Sequence, residues 1–186
     1  MRTIKCMLLW AFVLLPGVQA QQVALKTNLL YDATSTINLG CEVGLARHFT
    51  AELSGNYNPW TFSDSKSVKH WMIQPEFRYW IHERFNGHFF GVHMHYGSMD
   101  TAGSPFLFGL KKDFAYDGLF VGGGISYGYQ LYLGPHWNIE FTAGLGYVYL
   151  DYKKAAYPDT GNRLGDYYAN YFGLTKAGIS IVYIIK

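Results

Sequence analysis

The chain has 186 residues, a length that bounds it to one domain, and a formal net charge of +2 whose longest basic run is Lys153-Lys154. That excludes the concentrated basic face a nucleic-acid partner requires. Only 15% of residues are charged, against roughly 25% in average soluble domains, while aromatics reach 18% and glycines number 21.

Arg2 and Lys5 precede an apolar run from Met7 to Pro16, and Val18-Gln19-Ala20 has the small-residue pattern of a cleavage site. Residues 1–20 are therefore expected to be a secretory signal, cut after Ala20. The run falls well short of the ~20 residues a spanning helix needs. Cys6 would leave with the signal, so Cys41 would remain as a lone thiol with no internal disulfide. Nothing after residue 20 reads as a membrane-crossing helix, so entry into a membrane would be by strands.

Eight segments alternate with the period of two that marks strands. They are Val23–Tyr31, Thr36–Leu45, Phe49–Tyr57, Lys69–Trp80, His88–Tyr96, Leu119–Leu133, Trp137–Leu150 and a last one from Asn170, clearest after Ala177. The second shows the pattern: Ile37, Leu39, Cys41, Val43 and Leu45 oppose Asn38, Gly40, Glu42 and Gly44. Pro75 cannot donate to a ladder, which predicts a bulge there. No helix is predicted. Connections alternate between short (46–48, 81–87, 134–136) and mostly long (32–35, 58–68, 97–118, 151–169). The expected fold is all-β: an eight-stranded antiparallel up-and-down transmembrane β-barrel over residues 21–186, with short periplasmic turns and long outer loops.

Alternation does not say which face meets water, but volume does. An eight-stranded barrel encloses little more than its own side chains. One face carries Trp71, Phe77, Tyr79, Tyr127, Tyr129, Phe141, Tyr147 and Tyr149, too bulky for that space, and the other is rich in glycine. The apolar face is placed against lipid, with Tyr31, Tyr57, Trp71, Tyr79, Trp137 and Tyr149 as interfacial girdles. The alternative is a soluble lipocalin-like barrel with its apolar face inward.

Strand charges then fall on the lumen face: Lys26, Glu42, Glu52, Glu76, Arg78, Glu140 and Lys176. Buried charges must pair, so a salt-bridge network plugging the lumen is expected; a proton or small-ion path is the functional alternative. His93 and His95 share the lumen face and would hold a metal if Glu76 or Glu140 completed the set. Ser63, Asp64, Ser65, His70 and Ser98 lie near the outer rim, where a hydroxyl, an imidazole and a carboxylate could cleave an acyl ester. There is no G-x-S-x-G elbow, and no catalytic residue, metal or cofactor is assigned. Phe106, Leu107, Phe108, Tyr152, Tyr157, Tyr167 and Tyr168 form a possible outer-loop contact surface. They could equally pack over the barrel mouth or in the interface belt.

Ala24–Ala33 (ALKTNLLYDA), Asn38-x-Gly40-x-Glu42, Tyr57-Asn58-Pro59-Trp60 and Arg84–Gly91 (RFNGHFFG) together resemble an uncharacterised family of Gram-negative outer-membrane proteins. Lys176-x-Gly178-x-x-Ile181-x-Tyr183 resembles the closing-strand signal of outer-membrane barrels, and the layout is similar to OmpA-type barrels at the level of fold. The family resemblance implies an outer-membrane location among lipids. It also implies an envelope or fimbrial protein as partner, because members are often encoded beside fimbrial assembly genes. It implies no catalytic residues. The expected role is non-enzymatic, structural or adhesive; the alternatives are a lipid-modifying barrel enzyme and the soluble barrel.

Overall fold

The computed structural model describes residues 22–61, 67–103, 110–111, 113–157 and 163–185. Eight antiparallel strands close into a barrel in strict chain order. They are β1 (Val23–Asn28), β2 (Ile37–Ala46), β3 (Phe49–Asn58), β4 (Ser67–Trp80), β5 (Gly87–Ala102), β6 (Phe114–Tyr132), β7 (Trp137–Ala156) and β8 (Arg163–Ile185). A short helix, α1 (Leu29–Ala33), joins β1 to β2. Among the described residues no helix is long and apolar enough to cross a membrane. The expected signal at residues 1–20 lies outside the described residues.

From β3 to β8 the strands outrun their expected ends on the side away from the short turns, so the last three connections there are shorter than alternation implied, while the first, between β1 and β2, is longer. The cause is a change of polarity between faces. Beyond Tyr96 on β5 the outward positions become polar, at Ser98 and Asp100, while Met99 turns inward and is buried. On β7 the outward Asp151 and Lys153 alternate with the inward, buried Val148 and Leu150. The continuous apolar face ends where the apolar row crosses from the outside to the inside.

α1 corrects the expected first strand. Asn28 ends β1 because its side-chain oxygen accepts from Leu30 N at 3.1 Å, the N-cap bond that starts a helix. Tyr31 therefore does not join an interfacial girdle; it turns in and packs half-buried against the outer apolar cluster described below. Asp32 holds the turn together, accepting from Thr27 Oγ1 at 3.0 Å and Asn38 Nδ2 at 2.7 Å. Asn28→Ala removes the cap together with side-chain bonds to Ala177 O and Ile179 N on β8, so it is expected to lower unfolding free energy by more than the ~1 kcal/mol of a cap alone, read as a lower urea midpoint at unchanged slope.

The bulge expected at Pro75 does not form. Pro75 pairs with Leu53 on β3, and the β4–β5 ladder omits it while keeping one register from Ile73↔Tyr96 to Glu76↔His93. The register shifts lie elsewhere, near Gly44/Ala46, Lys154/Ala155 and Gly144/Leu145. At the last, Gly144 faces Lys176 and Leu145 faces Leu174, so Thr175 is an inserted residue. The insertion flips parity: Phe172 and Leu174 face out above it, and Ile179 and Tyr183 face out below.

The interior is layered. At the short-turn end Ala24, Trp80, Phe85, Phe89, Val182 and Ile184 form one buried cluster. At the other end Met72, Met99, Tyr116, Phe120, Val148 and Leu150 form a second. Glycines, charges and polar side chains, with His93 and His95, were expected inside and the large aromatic rings outside, so the buried Trp80, Phe89 and Phe120 correct that picture. Most of the large rings named for the outer face are nonetheless exposed there, among them Trp71, Phe77, Tyr79, Tyr127 and Tyr147.

Candidate functional site

Between the two apolar clusters lies a compact set of charges. Strand register stacks three acids side by side, with Glu42 opposite Glu52 and Glu52 opposite Glu76. Like charges directly opposite on a sheet repel, so this row stands only if cations reach it. Arg78, two residues along β4 from Glu76, is fully buried and does so. Its Nη1 lies 2.9 Å from Glu42 Oε2 and 2.9 Å from Glu140 Oε2, and its Nη2 lies 2.6 Å from Glu52 Oε2 and 3.0 Å from Glu76 Oε2. The planar guanidinium thereby serves four carboxylates, which an ammonium could not do from one point.

Two lysines complete the set from strands that meet at the barrel seam. Lys26 Nζ on β1 lies 2.5 Å from Glu140 Oε2 and 3.0 Å from Glu52 Oε2, and also contacts Glu42. Lys176 Nζ on β8 contacts Glu76 and lies 3.5 Å from Glu52 Oε1. Hydroxyls satisfy further oxygens: Thr142 donates to Glu140 Oε1 at 3.0 Å, and Ser126 donates to Glu76. The structure thus brings together all seven lumen charges named from sequence. Four carboxylates against three cations leave one surplus negative charge (4 − 3 = 1).

The packing around this cluster leaves little room. The Phe89 ring lies under the Arg78 guanidinium, 4.4 Å from its centroid, and Trp80 packs on Phe89 at 4.7 Å with the rings tilted by 44°. Gly91 is needed for close approach: a Cβ there would collide with the Glu76 carboxylate and the Ser126 hydroxyl. A cavity of about 40 Å³ borders Lys26, Glu52, Glu140 and Lys176, room for no more than a few waters. The seven charges form a plug that cross-links six of the eight strands, and Phe89 and Trp80 join it to one end of the barrel.

Trp80, Phe89, Ser126 and Thr142 were missed as parts of this site. Trp80 and Thr142 did carry a signal, because they share strand parity with Arg78 and Glu140. Phe89 shares parity with the inward His93 and His95, but its place under Arg78 is set by a neighbouring strand and needs register.

His93 and His95 face inward and their rings stack with centroids 5.9 Å apart. His93 Nε2 meets Thr175 Oγ1 at 2.9 Å, in the β8 bulge. Glu76 and Glu140, named as possible third ligands, are engaged by Arg78, Lys176 and Lys26 instead. Glu42, Glu52 and Glu140 bring one oxygen each within 4.8 Å of one another. Lys26 Nζ and Arg78 already occupy the space among them.

At the rim, Ser63, Asp64 and Ser65 lie outside the described residues. His70 turns inward and is buried, its Nδ1 3.0 Å from Val68 O, whereas Ser98 alternates to the outer face, so these two are not brought together. Phe106, Leu107 and Phe108 also lie outside the described residues. Tyr152 is half-buried and meets Tyr116 edge-on at 5.3 Å, and Tyr157 packs against Gly103. Tyr167 and Tyr168 are exposed, Tyr168 to 73%. The named aromatics thus divide between mouth packing and open surface.

These features define an eight-stranded up-and-down β-barrel with an apolar outer wall and a closed, ion-paired interior. The chain belongs to the family described as "Protein of unknown function (DUF3575)", whose model matches residues 6–185. No curated protein and no solved structure matches it.

Proposed function

We propose that the protein is an integral outer-membrane β-barrel with a non-enzymatic, structural or adhesive role, whose outer rim is the working surface. One observation carries the membrane reading. On the described strands, outward side chains are uncharged from the short-turn end up to Asp151 on β7 and the row just above it, Lys69–Asp100–Asp117–Lys153–Asp166, whose members are direct partners across β4 to β8. Below that row β7 presents Trp137, Ile139, Phe141, Ala143, Leu145, Tyr147 and Tyr149 outward. This run corresponds to roughly 40 Å of strand at ~3.3 Å per residue. At the tilt of about 40° usual in such barrels it gives about 30 Å of height, close to the apolar band of an outer membrane.

The layered interior supports a structural rather than a conducting role. Two buried apolar clusters cap the ion-paired middle, and a lumen filled by its own side chains carries no general solute path. The exposed Tyr167 and Tyr168 at the top of β8 suit contact with a protein or glycan.

Cell fractionation tests the membrane reading. The chain is expected in the outer membrane, resistant to carbonate and urea extraction and shifting in gel migration on boiling; a soluble periplasmic product would refute it. For the adhesive role, the double variant Tyr167→Ser, Tyr168→Ser is expected to insert normally and to lose binding to its partner surface. Unchanged binding would count against that role.

A further inference from the structure

β1 closes the barrel over only part of β8. It pairs with Ser180 to Ile185, whereas β7 pairs with β8 as far up as Arg163. Among the described residues no strand lies beside β8 on the seam side from Arg163 to Ile179. Asn28 extends the seam by one step. Its Nδ2 donates to Ala177 O at 3.1 Å, and its Oδ1 accepts from Ile179 N at 3.2 Å. A side chain here stands in for the next backbone unit of β1, and α1 then packs beside β8 before the chain turns back to β2.

Those two bonds show that the backbones of Ala177 and Ile179 point into the seam. The residue inserted at Thr175 moves that parity by one. Above it, the N–H and C=O groups of Leu174, Phe172, Asn170 and Tyr168 point the same way. Proteins usually guard such an edge with charge or proline. Tyr167–Thr175 (YYANYFGLT) has neither. Phe172 is 81% exposed. Leu174 shares a cross-strand row with Leu145, Ile125, Val92 and Phe77. If the membrane reading above holds, and this step rests on it, that row lies at acyl-chain depth, where a bare backbone edge has no water to bond.

We propose that the β8 edge from Tyr168 to Leu174 is a docking site for an extended segment of another envelope polypeptide, added to the sheet as a strand. The unpaired ladder fixes the occupant's form, because only extended backbone offers amides and carbonyls at matching spacing. The flanking side chains fix its composition: uncharged, apolar beside Phe172 and Leu174, and about five or six residues long, the ordinary length of a strand. A second copy of this chain fits poorly. A two-fold axis along the membrane normal keeps both β8 strands running the same way and sets the outer face of one beside the inner face of the other.

The test places the photo-crosslinker p-benzoylphenylalanine at Tyr168 or at Asn170 in living cells and maps the adducts by mass spectrometry. The expected result is one partner polypeptide, with contacts that step along a single extended segment as the probe moves. Phe172→Pro and Asn170→Pro each delete an edge-facing N–H without removing a bond to β7. Each is expected to abolish adducts from Tyr168 while the chain still inserts and shifts on boiling. Adducts to lipid alone, to a second copy, or to scattered proteins would overturn the proposal, as would adducts that survive proline in an inserted chain. Fractionation into the soluble periplasm would instead overturn the membrane reading, so the two failures are distinguishable.

Discussion

Arg78→Ala is expected to remove roughly 3–5 kcal/mol of unfolding free energy, the usual cost of stranding buried charges by deleting their partner. Arg78 is fully buried and meets Glu42, Glu52, Glu76 and Glu140. Without it, four acids face Lys26 and Lys176 alone, and the row of three directly opposed glutamates loses the cation that reaches all of them. The loss comes from uncompensated carboxylates more than from the ion pairs themselves. Adding Glu42→Gln to Arg78→Ala should therefore recover part of it, a positive coupling in a double-mutant cycle. The exposed pair Arg47–Glu83 is the contrast, with side chains 74% and 60% accessible at 2.9 Å. Arg47→Ala should cost under about 1 kcal/mol, as surface pairs do. Urea titrations of the refolded barrel in lipid vesicles measure both. A change below that surface-pair scale at Arg78 would show that the lumen charges are solvated rather than sealed.

How much of this could be read without coordinates depended on whether one strand sufficed. Period-two alternation placed Lys26, Glu42, Glu52, Glu76, Arg78, Glu140 and Lys176 on one side of their strands, and they share one interior. Alternation could not reveal that Glu42, Glu52 and Glu76 are level, because register is a property of strand pairs. Pro75 misled for a related reason: it sits where the β4–β5 ladder simply skips a pair, so a missing donor needs no bulge. The true bulge at Thr175 had a local sign, the shift of apolar residues from even positions at Phe172 and Leu174 to odd ones at Ile179 and Ile181. Asn28 and α1 illustrate competition between levels. Leu25, Thr27 and Leu29 continue a strand pattern, but the Asn28 cap and the Asp32 bonds turn the chain into a helix after six strand residues. Trp80 and Phe89 were hidden by chemistry, since large rings on a face rich in glycine and charge look out of place until they are seen to close its end.

Ile125→Arg carries the second large effect and bears directly on what surrounds the wall. Ile125 is 68% exposed and lies midway along the outward row of β6 that runs from Leu119 to Leu131. Its direct neighbours Val92 and Leu145 are exposed and apolar too, so no protein group waits there to pair with a guanidinium. In water such a surface change would alter stability by no more than about 0.5 kcal/mol. In a bilayer an arginine at mid-depth of a barrel costs about 2–4 kcal/mol, and near the interface only about 0–1. Tyr168→Arg is the matched control, because Tyr168 is similarly exposed but sits beside the charged row, opposite Asp151. The expected outcome is a steep loss of folded barrel in vesicles for Ile125→Arg and little change for Tyr168→Arg. The same pair measured in detergent should differ less, because micelles deform around a charge more readily than a bilayer does. Equal, small effects at both positions in vesicles would mean that water already bathes the middle of this wall, and the apolar outer face would then need a protein rather than a membrane to cover it.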